Sequence, residues 1–257
     1  MKDYVPVDFL SVVVPCWNDA GEALALARAW ASYPAVREIV LAGVEGFAPP
    51  IASANDGKIL WCASPKPSRG AQMNLGAQMV TGDALLFHHV DSILTAAHID
   101  AIAGPLRDPA VIGGGFHRAF DERHPSLRWL ENLERNHSRA FGTIYGDQSV
   151  FVRREVFARL GGFADIPLME DVEFSKRLRR AGKVALLDPP MRSSPNRQLA
   201  QGAWRVTLRN LSFLIAFRLG LSPQRMHDRY YAHARNLTQP SAAAQRNATT
   251  PPLVATK

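Results

Sequence analysis

The sequence predicts an α/β fold: a mostly parallel sheet with helices on both faces, followed by amphipathic helices at the carboxyl end. First, short apolar runs alternate with stretches of helical character through the first half of the chain. Second, these runs end at clusters of polar residues, as strands do beside a ligand site in an open parallel sheet. Third, 47% of the 257 residues are hydrophobic and 21% are charged, which excludes a chain that is disordered throughout.

The first strand and helix are predicted near the amino end. The valines at positions 12–14 predict a buried strand that ends at Pro15. Asn18 and Asp19 follow as a polar turn, and the alanine-rich stretch as far as Tyr33 predicts a capped helix.

Three further apolar runs predict neighbouring strands at residues 36–42, 59–62 and 84–87. A loop rich in serine and proline, residues 64–70, leads into a helix predicted at residues 71–80. Because strands and helices alternate, we expect the strands to be parallel and covered on both faces.

The pattern is less regular in the second half of the chain. Helices are predicted at residues 95–106, 126–140 and 171–180, and strands at residues 111–116, 150–152 and 184–187. The second of these helices is amphipathic, with Trp129, Leu130 and Leu133 assigned to its apolar side. Gly161 and Gly162 predict a turn before the last helix.

The chain changes character after about residue 200, where large apolar residues alternate with Arg205, Arg209 and Arg218. Its longest uncharged stretch, residues 210–217, is far below the roughly 20 residues that span a bilayer. This helix either lies in an anionic membrane surface or packs onto its own domain, and the sequence favours neither. We therefore divide the chain into a domain at residues 1–200, a basic helical segment at 201–235 and a disordered tail at 236–257.

The formal net charge of +7 is concentrated near the carboxyl end. Residues 176–235 contain thirteen lysines and arginines but only two acids, Asp188 and Asp228. Such an excess suits anionic lipid, a phosphorylated substrate or nucleic acid, and charge alone does not choose among them. We expect no nucleic-acid partner, because the basic residues share a helix with large apolar side chains and no recognised binding module is present.

Cys16 and Cys62 are too few for a disulfide framework or a four-thiolate zinc site, which favours a reducing compartment. The first ten residues lack the continuous apolar stretch of a secretory signal. We expect a mainly soluble, cytoplasmic protein, peripheral on the inner face of the plasma membrane if its basic helix docks there.

Two polar clusters are candidates for chemistry. Asp91 follows the strand at 84–87 and either caps a turn or binds a divalent cation, with His89 adding a nitrogen ligand that favours manganese. Glu170 and Asp171 either cap a helix or accept a proton from an attacking hydroxyl. The residue pattern alone leaves both pairs of alternatives open.

Several separated motifs occur in a characteristic order. They are residues 11–15 with Asn18, 69–77 followed by 82–87, 146–148 through 151–154, 161–163, 167–171 and 177–178. Together they resemble family 2 glycosyltransferases, most closely the bacterial subgroup named after its radical-SAM and selenodomain neighbours. The resemblance covers roughly residues 9–235.

This resemblance implies a GT-A fold, in which a Rossmann-like sheet binds a nucleotide-diphosphate sugar. It further implies a hexosyltransferase-type enzyme that inverts the anomeric centre, requires a divalent metal (Mn or Mg) and uses a hydroxyl acceptor. The acceptor would be lipid or cell-envelope material if the basic helix docks on a membrane.

The resemblance implies roles for the residues that match the family's metal-binding and catalytic motifs. Asp91, with His89, would hold the cation that bridges the diphosphate. Asp171 would be the general base, and Glu170, the other acid of the family's Glu-Asp pair, would bind substrate.

The remaining matches concern substrate binding. Asp147 and Gln148 would line the sugar or acceptor pocket. The nucleotide site would be lined by Pro15, Asn18, Arg69 and Asn74.

Two positions depart from the family pattern. Ala42 stands where an aspartate usually helps to hold the nucleoside, with Glu45 or Asp56 as nearby substitutes, and His89 replaces the first aspartate of the metal motif. These departures favour an alternative hypothesis, a degenerate GT-A module that binds nucleotide or a partner without catalysis. A third hypothesis, nucleotidyl transfer by an enzyme with a similar sheet, is not supported by the residues around Asp171.

Overall fold

A computed structural model describes residues 7–46, 57–121 and 124–238. Within these ranges eight strands form one sheet in the order β3-β2-β1-β4-β7-β6-β8-β5. The strands are β1 (Leu10–Pro15), β2 (Val36–Val44), β3 (Ile59–Ser64), β4 (Ala84–Phe87), β5 (Ser92–Ile93), β6 (Val111–Phe120), β7 (Val150–Arg153) and β8 (Lys183–Ser193).

The described part of the chain also contains nine α-helices. They are α1 (Ala20–Ala31), α2 (Arg69–Gln78), α3 (Ala96–Ala103), α4 (Pro125–Phe141), α5 (Arg154–Arg159), α6 (Glu170–Ala181), α7 (Asn196–Gln201), α8 (Ala203–Arg218) and α9 (Pro223–Thr238). Short 3₁₀ turns lie at Pro105–Arg107 and Gly146–Gln148.

The sheet is mostly parallel, which confirms the predicted fold class. β1 pairs in parallel with β2 and β4, and β2 pairs in parallel with β3. Helix α1 provides the crossover from β1 to β2, and α2 the one from β3 to β4. β7 departs from this pattern, because it is antiparallel to both β4 and β6. The carboxyl end of β4 therefore lies beside the amino end of β7, and both border one cavity.

The predicted burial of the first strand is confirmed on both faces. Val12 and Val14 pack in one core cluster and Val13 in the other, and all three are completely inaccessible to solvent. A strand buried on both sides has no polar face, which explains its continuous apolar run. Cys16 and Cys62 are also buried, and neither is in a disulfide.

Three predictions of local structure need correction. Asp19 precedes α1 but makes no side-chain cap bond to the helix; its carboxylate accepts a hydrogen bond from the Trp17 amide at 2.6 Å. In α4, Leu130 is buried as predicted, whereas Trp129 and Leu133 are 48% and 42% exposed. The buried side of that helix instead contains Leu127, because the helix packs against β6 along a different stripe.

The third correction concerns the carboxyl end. α9 continues to Thr238, past the predicted start of the tail at residue 236. The rest of the predicted tail and Asp56 lie outside the described residues. In the described ranges, every helix is too short or too polar to traverse a bilayer.

Candidate active-site cavity

A cavity of about 450 Å³ lies beside the carboxyl ends of β4 and β6 and the amino end of β7. Phe87, the last residue of β4, pairs with Val150, the first residue of β7, and both line it. Helices α2 and α6 point their amino ends into the cavity, while α4, α8 and α9 complete its wall. Six of the residues singled out from the sequence line it: Arg69, His89, Asp91, Asp147, Glu170 and Asp171.

Asp171 is fixed by two backbone amides. Its Oδ2 accepts a hydrogen bond from the Gly146 N–H and its Oδ1 one from the Val172 N–H, each at 2.7 Å. Burial raises the pKa of the Asp171 carboxyl, and these two hydrogen bonds oppose that rise. Met169, which precedes α6, adopts the left-handed conformation with φ 69° and so turns the chain into the helix.

Glu170 lies beside Asp171 on the same cavity wall. Burial, with the negative charge of Asp171, raises the pKa of the Glu170 carboxyl to about 7. Two adjacent carboxyl groups in a poorly solvated site do not ionise independently, and the pair would accept or release a proton near neutral pH.

Gly146 brings two of the predicted residues together, a role that sequence reasoning missed. A Cβ at Gly146 would lie 3.0 Å from His89 Nε2 and 3.6 Å from Asp171 Oδ2. The loop after β4 and the start of α6 are thus neighbours across this glycine. The only signal in the sequence was its position directly before Asp147.

The imidazole of His89 is neutral at pH 7. Burial lowers its pKa well below the ordinary value, and the positive charge of Arg69 lowers it further. A neutral imidazole is the form that binds metal ions.

Asp147 is held by a buried arginine. Arg118 donates hydrogen bonds to Asp147 Oδ2 at 2.7 Å and to Glu134 Oε1 at 2.6 Å, and its side chain is 10% exposed. Both carboxylates raise the pKa of Arg118, which stays charged. One guanidinium compensates two carboxylates incompletely, so burial still raises the pKa of Glu134 to about 7.

Sequence reasoning missed both Arg118 and Glu134. Arg118 lies beyond the strand predicted at residues 111–116, and Glu134 lies on a helix assigned from its apolar residues alone. No local pattern marks either residue, because their partnership depends on how α4 packs against β6.

Asp91 stands at the exposed mouth of the cavity. The surrounding protein atoms raise the pKa of its carboxyl by desolvation, and the negative charge of Asp147 adds to the rise. A cation near Asp91 and Asp147 would favour the ionised form of Asp91 and so offset the rise in its pKa.

In the described ranges, no group of three or more His, Cys, Asp or Glu side chains converges to hold a metal ion. Ions such as Mg²⁺ are commonly held by one or two carboxylates together with substrate phosphates. Asp91 and His89 both line the cavity, and their side chains are of the donor types, a carboxylate and a neutral imidazole, that such a shared site would use.

The other predicted site residues do not line the cavity. Pro15 is buried at the end of β1, paired with Ala42, and Asn18 is exposed in the following loop. Gln148 is 1% exposed, and its Oε1 accepts a hydrogen bond from the Tyr145 N–H at 2.8 Å.

Asn74 connects α2 to the loop that leads into α6. Its Nδ2 donates to the Phe163 carbonyl at 2.9 Å, and its Oδ1 accepts from the Phe163 N–H at 2.8 Å. Gly162 has φ +70°, and a Cβ there would lie 2.4 Å from Asn74 Oδ1, so glycine is required at this turn. The amide of Asn74 is thus engaged in holding the chain before Glu170.

The ends of β1 and β2 are joined by a buried glutamine. Gln72 Nε2 donates to the carbonyls of Cys16 at 2.8 Å and Ala42 at 2.7 Å. The ring of Trp61 covers Gly43, where any Cβ would collide with it. Glu45 is exposed in the turn after β2.

The lining of the cavity also includes apolar side chains from α4 and α8, among them Leu133, Leu211, Phe213 and Leu214, together with the ring of Tyr230 from α9.

The similarity of this chain to known proteins is a similarity of structure. No protein-family model matches the chain, and no curated protein sequence matches it. A mannosyltransferase from Pyrobaculum calidifontis, solved with GDP-Man and Mn²⁺, is similar with a TM-score of 0.57 and 20% identity, over 90% of this chain and 72% of that one. TarS 1–349 from S. aureus is similar with a TM-score of 0.57 and 14% identity, over 83% of this chain and 66% of that one. The chain therefore has the Rossmann-like GT-A fold found in glycosyltransferases.

Proposed function

We propose that this protein is an inverting glycosyltransferase that moves a hexose from a nucleotide-diphosphate donor to a hydroxyl acceptor. The observation that carries the proposal is the position of Asp171, held by the Gly146 amide in the same cavity as Asp91 and Arg69. Shared fold with a mannosyltransferase in complex with GDP-Man and Mn²⁺ supports a nucleotide-sugar donor.

Asp171 would act as the general base. Its carboxylate would take the proton of the acceptor hydroxyl as that oxygen attacks the anomeric carbon, while the bond from that carbon to the diphosphate oxygen breaks. The elevated pKa of Asp171 makes it a stronger base than an exposed aspartate, since burial destabilises its charged form. The Gly146 hydrogen bond fixes the direction in which the carboxylate faces.

The leaving diphosphate needs positive charge near it. Arg69 supplies a guanidinium as the first residue of α2, where the free amides of the helix also favour an anion. Asp91 and His89 would hold a divalent ion, Mn²⁺ or Mg²⁺, which neutralises charge on the departing oxygens when bound.

The remaining predicted residues would take supporting positions. Asp147 would contact the sugar or acceptor beside Glu170, with Arg118 fixing its carboxylate. Pro15 and Asn18 would border the nucleotide beyond β1, while Asn74 and Gln148 would act by holding backbone near the site.

A second candidate is a module that binds nucleotide or a partner without catalysis. It is favoured by Ala42, which is completely buried at the end of β2 and offers no carboxylate to a nucleoside.

The decisive experiment measures nucleotide release from a panel of nucleotide sugars with Mn²⁺, alongside donor binding by calorimetry. Asp171→Asn should lower turnover about 10²–10⁴-fold and leave donor binding nearly unchanged, because it removes the base alone. Asp91→Asn should lose the metal dependence of donor binding. Glu22→Gln, an exposed carboxylate on α1, is the control and should behave as the parent.

Two outcomes would contradict the enzymatic proposal. Donor binding without turnover by the parent, with any acceptor or water, would favour the non-catalytic module. Full turnover by Asp171→Asn would exclude Asp171 as the base.

A further inference from the structure

Helices α4 and α8 lie side by side at the cavity. Near their first turns the rings of Trp129 and Trp204 are 4.7 Å apart, and at their ends the Arg218 guanidinium lies 5.0 Å from the Phe141 ring centre. Contacts at both ends mean that the two helices run in the same direction.

The solvent-facing side of α8 is apolar. Trp204, Leu208, Leu211 and Ile215 recur every three or four residues, which places them on one stripe of a helix with 3.6 residues per turn. Each is between 43% and 60% exposed, and Leu219, directly after the helix, is 83% exposed.

The opposite side of α8 already has a partner, since Val206 and Leu214 are buried. The exposed stripe is therefore a second apolar surface of the same helix. α4 extends it with Trp129, Leu133 and the 55% exposed Phe141. We call these eight residues the apolar face: Trp129, Leu133, Phe141, Trp204, Leu208, Leu211, Ile215 and Leu219.

Positive charge borders this face. α8 contains no acidic residue, and its helical spacing places Arg205 and Arg218 on either side of the apolar stripe. Arg128 and Arg139 are exposed on α4. A two-fold dimer through this face would bring arginines of one copy towards those of the other, whereas an anionic bilayer complements both the apolar residues and the charge.

The cavity opens at the same face. Leu133 and Leu211 belong to the apolar face and also line the cavity that contains Asp171. A surface-bound molecule lying on this face would therefore have its reactive head group beside the carboxylates without leaving the surface.

We propose that the apolar face binds an anionic lipid bilayer and turns the cavity towards it. The acceptor is then an amphiphile drawn from that bilayer, a consequence that depends on the proposed glycosyl transfer.

The experiment is co-sedimentation of the full-length protein with vesicles of phosphatidylcholine alone or mixed with phosphatidylglycerol. The parent should bind the mixed vesicles and bind phosphatidylcholine weakly. The double variant Leu208→Glu/Ile215→Glu should bind at least about tenfold more weakly, because it places charges in the apolar stripe. Met79→Glu is the matched control, an exposed apolar residue at the far end of α2, and should bind as the parent does.

The arginines provide a separate test of charge. Arg205→Gln should weaken binding to the mixed vesicles about fivefold, which corresponds to the roughly 1 kcal/mol that a basic residue contributes near an anionic surface. Arg107→Gln, exposed at a 3₁₀ turn of the main domain, is the control and should leave binding unchanged.

Absence of vesicle binding by the parent would overturn the inference, as would binding that the double variant leaves intact. Sedimentation that instead shows a dimer, dissociated by Leu208→Glu/Ile215→Glu, would assign the face to a second copy of the chain. Nucleotide release measured both with and without vesicles separates the two proposals. Release without vesicle binding rejects only the docking face, and vesicle binding without release under either condition rejects only the enzyme.

Discussion

At the scale of single residues, the candidate base depends on a glycine. Gly146 donates its N–H to Asp171 and leaves room beside His89. This one residue therefore contacts both the loop after β4 and the start of α6. Its φ is not in the left-handed region, and alanine is therefore tolerated by the backbone. Space, rather than conformation, explains glycine at this position.

Gly146→Ala should lower nucleotide release about tenfold or more while changing the free energy of unfolding by less than about 1 kcal/mol. The new methyl group would lie 3.0 Å from His89 Nε2 and would displace the imidazole, whereas the hydrogen bond to Asp171 persists. Turnover and chemical denaturation measure the two effects.

The control for this substitution is Gly21→Ala on α1. A Cβ there has no neighbour within 4 Å, and alanine should stabilise the helix by up to about 1 kcal/mol without changing turnover. Parent-like turnover by Gly146→Ala would show that the gap beside His89 is not needed.

At the scale of elements, the site depends on how α2 is fastened to α6. Asn74 forms hydrogen bonds with both the N–H and the carbonyl of Phe163. From there the chain continues through Met169 to Glu170 and Asp171 at the start of α6. Helix α2 thus supplies Arg69 to the cavity directly and orients the carboxylates of α6 indirectly.

Asn74→Ala should destabilise the protein by about 2 kcal/mol or more, because it removes two hydrogen bonds and leaves a partly buried amide and carbonyl unpaired. We also expect a loss of nucleotide release at temperatures where the variant remains folded. Thermal denaturation with assays well below the midpoint measures both.

Gln78→Ala, an exposed position in the last turn of the same helix, is the matched control and should change stability by less than about 0.5 kcal/mol. Equal stability of the two variants would mean that the link to Phe163 contributes little.

At the scale of the whole molecule, the cavity gathers carboxyl groups from separate parts of the fold. Glu134 comes from α4 and Glu170 from α6, and burial raises the pKa of each to about 7. An acid with a raised pKa binds its proton more tightly in the folded protein than in the unfolded chain. Its contribution to stability is complete below the unfolded-state pKa and is lost as pH rises through the folded-state value.

For Glu134 this window extends from about 4.5 to about 7. The free energy of unfolding of the parent should therefore fall with rising pH across the window more steeply than that of Glu134→Gln, by up to about 3 kcal/mol. Urea denaturation at pH 5, 6, 7 and 8 measures the difference, with exposed Glu155→Gln as control. Parallel curves for the parent and Glu134→Gln would refute the assigned pKa.

Much of the fold follows from the local sequence. The runs that form β1 to β4 are predicted because a strand buried on both faces must be apolar at every position, as Val12 and Val13 show. The direction of β7 was not predicted, since an apolar run of three residues has the same pattern in a parallel or an antiparallel pair.

The fold class could be predicted from the amino-acid sequence alone, and its motifs named six residues that line the cavity. The contacts of Gly146 with His89 and Asp171, of Arg118 with Asp147 and Glu134, and of Trp129 with Trp204 emerged only from the folded chain. The physical reason is that hydrophobic periodicity records which side of a helix or strand is buried. Which side chains then meet across the molecule depends on the order and direction of the strands, which are set by contacts between distant parts of the chain.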